Sequence, residues 1–363
     1  MPRGLPVLLT TMLLSLVAGC TARPVSTGVG TLIEPQDALR LGYTIGTVRH
    51  LGLPKQHPVK HTLVFDDLAI VVASPNLVFA VSLRDGTIIW QRSIASSAEH
   101  LFKPVRWQDK LLINSETRLY VLSAETGEFL RLPQRLASTV SQGPAKAQQL
   151  AIFGGSDGHV FAYDLEISSI SWEKHLGGQV VASPVVYGRS VMVTDTTGRC
   201  RMYDAMSGEW LWDTRTFGRV VTPPVMTAAA VFIASEDQSL YCVSRSNGSD
   251  RWTPYRVSQP LRISPVLIDN MIFLTVSGEG LHVLDRGTGE LLWTFAAEAQ
   301  PVAMLDKRIL LNNHIELLLV EPDKQGEVFV QVPVKPLQSV IHLPGDRLLL
   351  ISPEGRILRL DPL

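Results

Sequence analysis

Apolar residues along this chain fall in short alternating runs, each closed by a polar turn, and the runs return at a fixed interval. The clearest copies are Tyr203 to Trp212, reading YDAMSGEWLW, and Leu284 to Trp293, reading LDRGTGELLW. The same frame stands at Val81 to Trp90, Tyr163 to Trp172 and Val243 to Trp252, with a weaker copy at Leu122 to Arg131. Its turn residue is Gly86, Gly127, Ser168, Gly208, Gly248, Gly289 and Gly326, an interval of 37 to 41 residues. Pro104, Pro144, Pro184, Pro224, Pro265 and Pro301 recur in the same period, at 36 to 41 residues, most of them followed by valine. Proline has no N–H to give a sheet ladder and is tolerated at an edge, so the Pro-Val steps predict an edge strand at the inner end of each repeat.

The strand before each turn is apolar on both faces. One face carries Val78 and Ala80, Leu119 and Val121, Val160 and Ala162, Cys200 and Met202, Leu240 and Cys242, and Leu281 and Val283. The other carries residues such as Phe79, Tyr120, Phe161 and Tyr241, apolar with polar tips. A sheet with one wet face would alternate apolar with charged; strands covered on both sides predict stacked blades. Repeats of about forty residues with this content spell an all-β fold, a β-propeller. Strand ends at Ser82, Ser123, Asp164, Asp204, Ser244, Asp285, Glu321 and Asp361 count eight blades, and the eighth runs out of chain before its outermost strand. The isolated strand-like stretch Gly42 to Leu51 is expected to supply it, closing the ring and removing open edges. The expected domains are therefore a signal segment over 1–19, a lipidated linker over 20–42 and the propeller over 43–363.

The first residues change the picture of where this ring works. Arg3, an apolar stretch from Leu5 to Val17 and small residues before Cys20 make a secretory signal, and the stretch is short against the roughly 20 residues of a spanning helix. Val17-Ala18-Gly19-Cys20 resembles the lipobox of bacterial lipoproteins. That resemblance implies cleavage before Cys20 and acylation of its thiol, with more than one acyl chain giving a stable anchor. Thr21 follows where an aspartate would retain a proteobacterial lipoprotein in the inner membrane, so the expected location is the periplasmic face of the outer membrane. Without Arg3 the mature chain has 32 basic and 34 acidic residues, a formal charge of −2, which excludes the basic face that nucleic acid needs. Cys200 and Cys242 stand where other repeats carry valine, leucine, alanine or methionine, as small buried hydrophobes would; whether they pair stays open.

The motif Asp-x-x-x-Gly-Glu-x-x-Trp, followed by Ser-Pro-Val-Val, resembles the repeat of the pyrroloquinoline quinone (PQQ) dehydrogenase propellers over residues 43 to 363. In that family the tryptophan docks one blade on the next, which implies a structural role for Trp90, Trp172, Trp212, Trp252 and Trp293; Arg131 and Val330 depart from the pattern. With a lipobox, short blades and no insertions, the chain is most similar to the BamB type of propeller lipoprotein. That resemblance implies a non-catalytic scaffold binding a protein partner, with the outer-membrane β-barrel assembly machinery the expected one, and a monomeric ring without cofactor or metal. Two other functions stay beside it: a propeller holding a small envelope ligand in its channel, and a PQQ-dependent dehydrogenase. The second would need an adjacent cysteine pair, which is missing. Gly154 to Gly158 fits G-x-S-x-G, but it falls on a strand-to-strand turn where a nucleophile elbow needs a helix next. His57 and His61 are four apart, yet Pro58 opposes the helix that would aim both at one metal.

Overall fold

The computed structural model describes residues 31–363. Among them the strands form eight antiparallel sheets of four. Blade 1 runs through Val59–Phe65, Leu68–Ala73, Leu77–Ser82 and Ile88–Ser93 in spatial as in chain order. Blades 2 to 7 repeat that order, their first strands beginning at Val105, Ala145, Val185, Val225, Val266 and Gln300. Blade 8 takes Ser339–Leu343, Arg347–Ile351 and Arg356–Pro362 from the end of the chain and its outermost strand, Tyr43–His50, from the beginning. Tyr43 lies opposite Pro362 and His50 opposite Arg356, so the missing strand is the one expected.

First strands of neighbouring blades touch, as Ala145–Ala147 touches Val185–Tyr187, so these strands converge on the axis. The prolines fall at their starts, where a ladder donor is not needed. Second and third strands are buried on both faces, Ile70 to Val72 and Val78 to Val81 among them. The apolar side chains gather into eight separate clusters, one between each pair of neighbouring blades. Burial of apolar area therefore glues blade to blade, and no single centre holds the molecule. The antiparallel order also gives the ring two unlike ends. One, the hairpin end, carries the turns between first and second strands and between third and fourth. The other, the crossover end, carries the second-to-third turns and the connections between blades.

Two details depart from expectation. Residues 32 to 42 are packed structure and not linker: a short helix, Pro35–Arg40, follows Leu32 and Ile33, and all three pieces sit on blades 7 and 8. Leu32, Ile33, Ala38 and Leu41 are buried there, and Lys335 N donates to Leu32 O at 2.8 Å. Blades 2 and 5 have outer strands cut to two residues, Gln134–Arg135 and Tyr255–Arg256, each just after a proline, Pro133 or Pro254.

Candidate functional site

Four of the five repeated tryptophans owe their direction to a β-bulge. In blade 1 the register shifts between Ala80 and Val81, so Trp90 lies opposite Ala80 and Ile89 is the extra residue. A regular ladder would have set Trp90 opposite Phe79, facing blade 8; the bulge turns it to the Ala80 face, toward blade 2. The same shift stands in blades 3, 4 and 6 before Trp172, Trp212 and Trp293. Each ring lies over the turn glycine of the following blade. A Cβ on Gly127 would come within 2.5 Å of Trp90, on Gly208 within 2.7 Å of Trp172 and on Gly289 within 2.6 Å of Trp252; Gly248 and Gly326 meet Trp212 and Trp293 in the same way. All five glycines also have positive φ, so two constraints select glycine there. Trp90, Trp172 and Trp212 donate through Nε1 to Ala124 O, Ala205 O and Arg245 O at 2.9 to 3.0 Å. Trp252 and Trp293 have buried Nε1 atoms without an acceptor. Where the tryptophan is missing, at Arg131, the glycine is missing too: the next turn residue is Ser168, and Arg131 donates to its hydroxyl. At the seam between blades 8 and 1, Thr47 takes the tryptophan's place against Gly86.

Other sequence candidates separate in space. Cys20 and the signal segment lie outside the described residues. Cys200 and Cys242 are free thiols in blades 4 and 5; burial pushes both thiols up, Cys242 to about 12, which keeps them protonated and unreactive. Two isolated thiols in different blades do not fit the adjacent-cysteine seat of a PQQ site. Gly154 to Gly158 connects two strands of blade 3, and Asp157 accepts hydrogen bonds from Ser138 Oγ at 2.7 Å and His159 N at 3.1 Å, closing the turn. His57 sits in a turn and His61 on a strand, and among the described residues no His, Cys, Asp or Glu cluster could hold a metal.

The outer surface carries a belt of exposed apolar side chains. Large apolar side chains stand exposed where fourth strands leave the hairpin end, including Phe129 and Leu130, Ile167 and Ile170, Leu211, Leu291 and Leu292, and Phe329. Blade 5 interrupts this belt with Ser249, Asp250 and Arg251. Between blades 3 and 4 the belt opens into a groove of about 400 Å³ lined by Lys174, His175, Arg201, Tyr203, Trp210 and Asp213. Trp210 is 58% exposed, while Tyr203 Oη and Arg201 Nε are buried without a hydrogen-bond partner. An unpartnered buried polar atom costs about 1–3 kcal/mol, a cost that an incoming acceptor or donor would relieve. Trp, Tyr and Arg are also the residue types that dominate binding energy at protein interfaces. Sequence reading passed over Trp210 because it sits inside the repeat frame. Its signal is that blade 4 has a second tryptophan two places before the buried one, across the bulge and opposite Tyr203.

The family model described as outer membrane protein assembly factor BamB matches residues 74–216 and 219–328. Curated proteins of that description match at low identity. The one from Legionella pneumophila is 24% identical over 197 residues, 51% of this chain and 50% of the relative. The one from Moranella endobia is 25% identical over 217 residues, 55% of each. The chain thus spans about half the length of the curated relatives it matches. Among solved structures, BamB from Moraxella catarrhalis superposes with a TM-score of 0.71 at 16% identity, covering 88% of this chain and 99% of that one. The C-terminal WD40 domain of Sif2 reaches 0.68 at 9% identity, with the same coverage of each chain. At these identities the superpositions speak for the propeller fold alone.

Proposed function

This chain belongs to the outer membrane protein assembly factor BamB family, and we propose that it is a non-catalytic docking platform, lipid-anchored through Cys20 at the periplasmic face of the outer membrane. Its partner is a protein component of outer-membrane protein assembly, held by the groove between blades 3 and 4 and the apolar belt beside it. The five tryptophans Trp90, Trp172, Trp212, Trp252 and Trp293 are structural, docking each blade on the next. The observation that carries this reading is the family match running across blades 1 to 7; the groove supplies the chemistry. A near-neutral chain makes little long-range field, so capture rests on the aromatic and apolar contacts and should depend only weakly on salt.

The test uses the full-length protein in cells. A photo-cross-linking residue at position 210 should yield an adduct with an outer-membrane assembly protein, and Trp210→Ala should weaken capture of that protein about tenfold or more, as expected on truncating an interface aromatic. A fatty-acid analogue should label the wild type and not Cys20→Ala. Adducts confined to cytoplasmic-membrane enzymes, or dye-linked alcohol oxidation by the protein with added PQQ and calcium, would overturn the proposal.

A further inference from the structure

Toward the crossover end, the first strands of blades 8 and 1 and the lead-in to blade 2 line a cavity of about 430 Å³. Its wall is the first strand of blade 1, Val59–Phe65, whose side chains alternate between the two neighbours. Val64 packs into the core shared with blade 8 and Leu63 into the core shared with blade 2. By the same alternation Thr62 faces blade 8 and His61 faces blade 2, while Lys60 is the extra residue of a β-bulge between Val59 and His61 and lines the cavity from there. Blade 2 brings Lys103 to the cavity, and blade 8 brings Gln338, Ser339 and Ile341.

Three features of this wall belong together. Neither Lys60 nor Lys103 is in an ion pair among the described residues, and no carboxylate lines the cavity. Thr62 Oγ1 and Ser339 Oγ are buried hydroxyls with no hydrogen-bond partner, one from each side of the blade 8–blade 1 junction. Leu63, Val64 and Ile341 supply an apolar surface between these groups. Two uncompensated ammonium groups create a positive potential, which low-dielectric walls concentrate. The same charges act on His61: burial pushes its pKa down, and Lys103 and Lys60 push it the same way, against a hydrogen bond with the Leu101 backbone that pulls it up. Two orphaned hydroxyls are donors waiting for an acceptor.

We propose that this cavity binds a small organic anion, with its anionic headgroup between Lys60, Lys103 and the hydroxyls of Thr62 and Ser339 and its short apolar body on Leu63, Val64 and Ile341. A bare inorganic anion would leave the apolar wall unused, and a cation would meet like charges. The site is separate from the rim groove: it lies against the first strands of blades 8 and 1, and it stands whether or not the groove binds a partner.

Hexanoate is the probe, with acetate and hexylammonium as comparators, and binding to the full propeller is read by titration calorimetry and by chemical shifts of His61. Hexanoate should bind saturably at one site, acetate at least tenfold more weakly, and hexylammonium not at all. Lys60→Gln with Lys103→Gln should weaken hexanoate at least tenfold without altering thermal unfolding, since both side chains are exposed. Thr62→Val should weaken hexanoate while leaving the unfolding temperature equal or higher, because an unpartnered buried hydroxyl is removed; a hydroxyl with a purely structural role would lower it. Equal binding of hexylammonium, undiminished binding in the lysine variants, or no saturable hexanoate binding would overturn the proposal.

Discussion

Five tryptophans sit in one frame but not in one hydrogen-bonding state, and that difference can be measured. Trp212 Nε1 donates to Arg245 O in the next blade, whereas Trp293 Nε1 is buried without an acceptor. Trp212→Phe should therefore lose a hydrogen bond on top of packing, and Trp293→Phe packing alone. We expect the first to cost about 1 kcal/mol more in urea unfolding; equal losses would mean that these N–H groups contribute nothing to docking. Glu99 makes a second residue-scale case. Burial would raise its pKa, but hydrogen bonds from Ser115 and Tyr120 and the charge of Arg118 outweigh that and hold it low. A depressed folded pKa stabilises fully above the unfolded value of about 4.3 and is lost as pH falls through the lower folded value. Glu99→Gln should thus destabilise near neutral pH, and the gap to the wild type should shrink through the acid range; a gap constant with pH would discount the carboxylate. The places of the tryptophans were legible in the sequence, because a large residue recurring at one step of a repeat has one environment. Their direction was not. In four of them it depends on a bulge, an extra residue that ordinary alternation does not announce, and in blade 4 that bulge puts Trp210 on the opposite face from Trp212.

Among elements, the outermost strand of blade 8 is the one whose role could be read without its neighbours. Tyr43–His50 is a lone strand, and the last repeat lacks one. Deleting residues 41 to 52 should lower the unfolding temperature of the whole ring and not merely trim a tail, since it bares Arg356–Pro362 along its length. An unaltered transition would show that closure lies elsewhere. The helix Pro35–Arg40 was not legible. Six residues hold fewer than two helical turns, too few for apolar periodicity to stand out, and the burial of Leu32 and Ile33 comes from blades 7 and 8 far along the chain. Blade 2 shows the same limit from the other side. Its departure at Arg131 marks a real change of interface, yet the repeat survives it with four strands, because the apolar second and third strands carry the packing.

For the molecule as a whole, the pairing of Tyr43 with Pro362 has a consequence in time. Contacts within blades 1 to 7 join segments close in sequence, and such contacts form early because little chain entropy is lost in closing them. The seam of blade 8 joins the two extremes of the chain. A polypeptide made from its N-terminus delivers the strand at Tyr43 long before its partner at Arg356 has emerged. During that interval the first blade has a bare flank, and the early strand has nothing to pair with. Completion of the ring therefore waits for the strand Arg356–Pro362, the step that turns a row of blades into a sealed body. A chain lacking that strand would remain an open arc, with apolar sheet faces exposed to whatever it meets first.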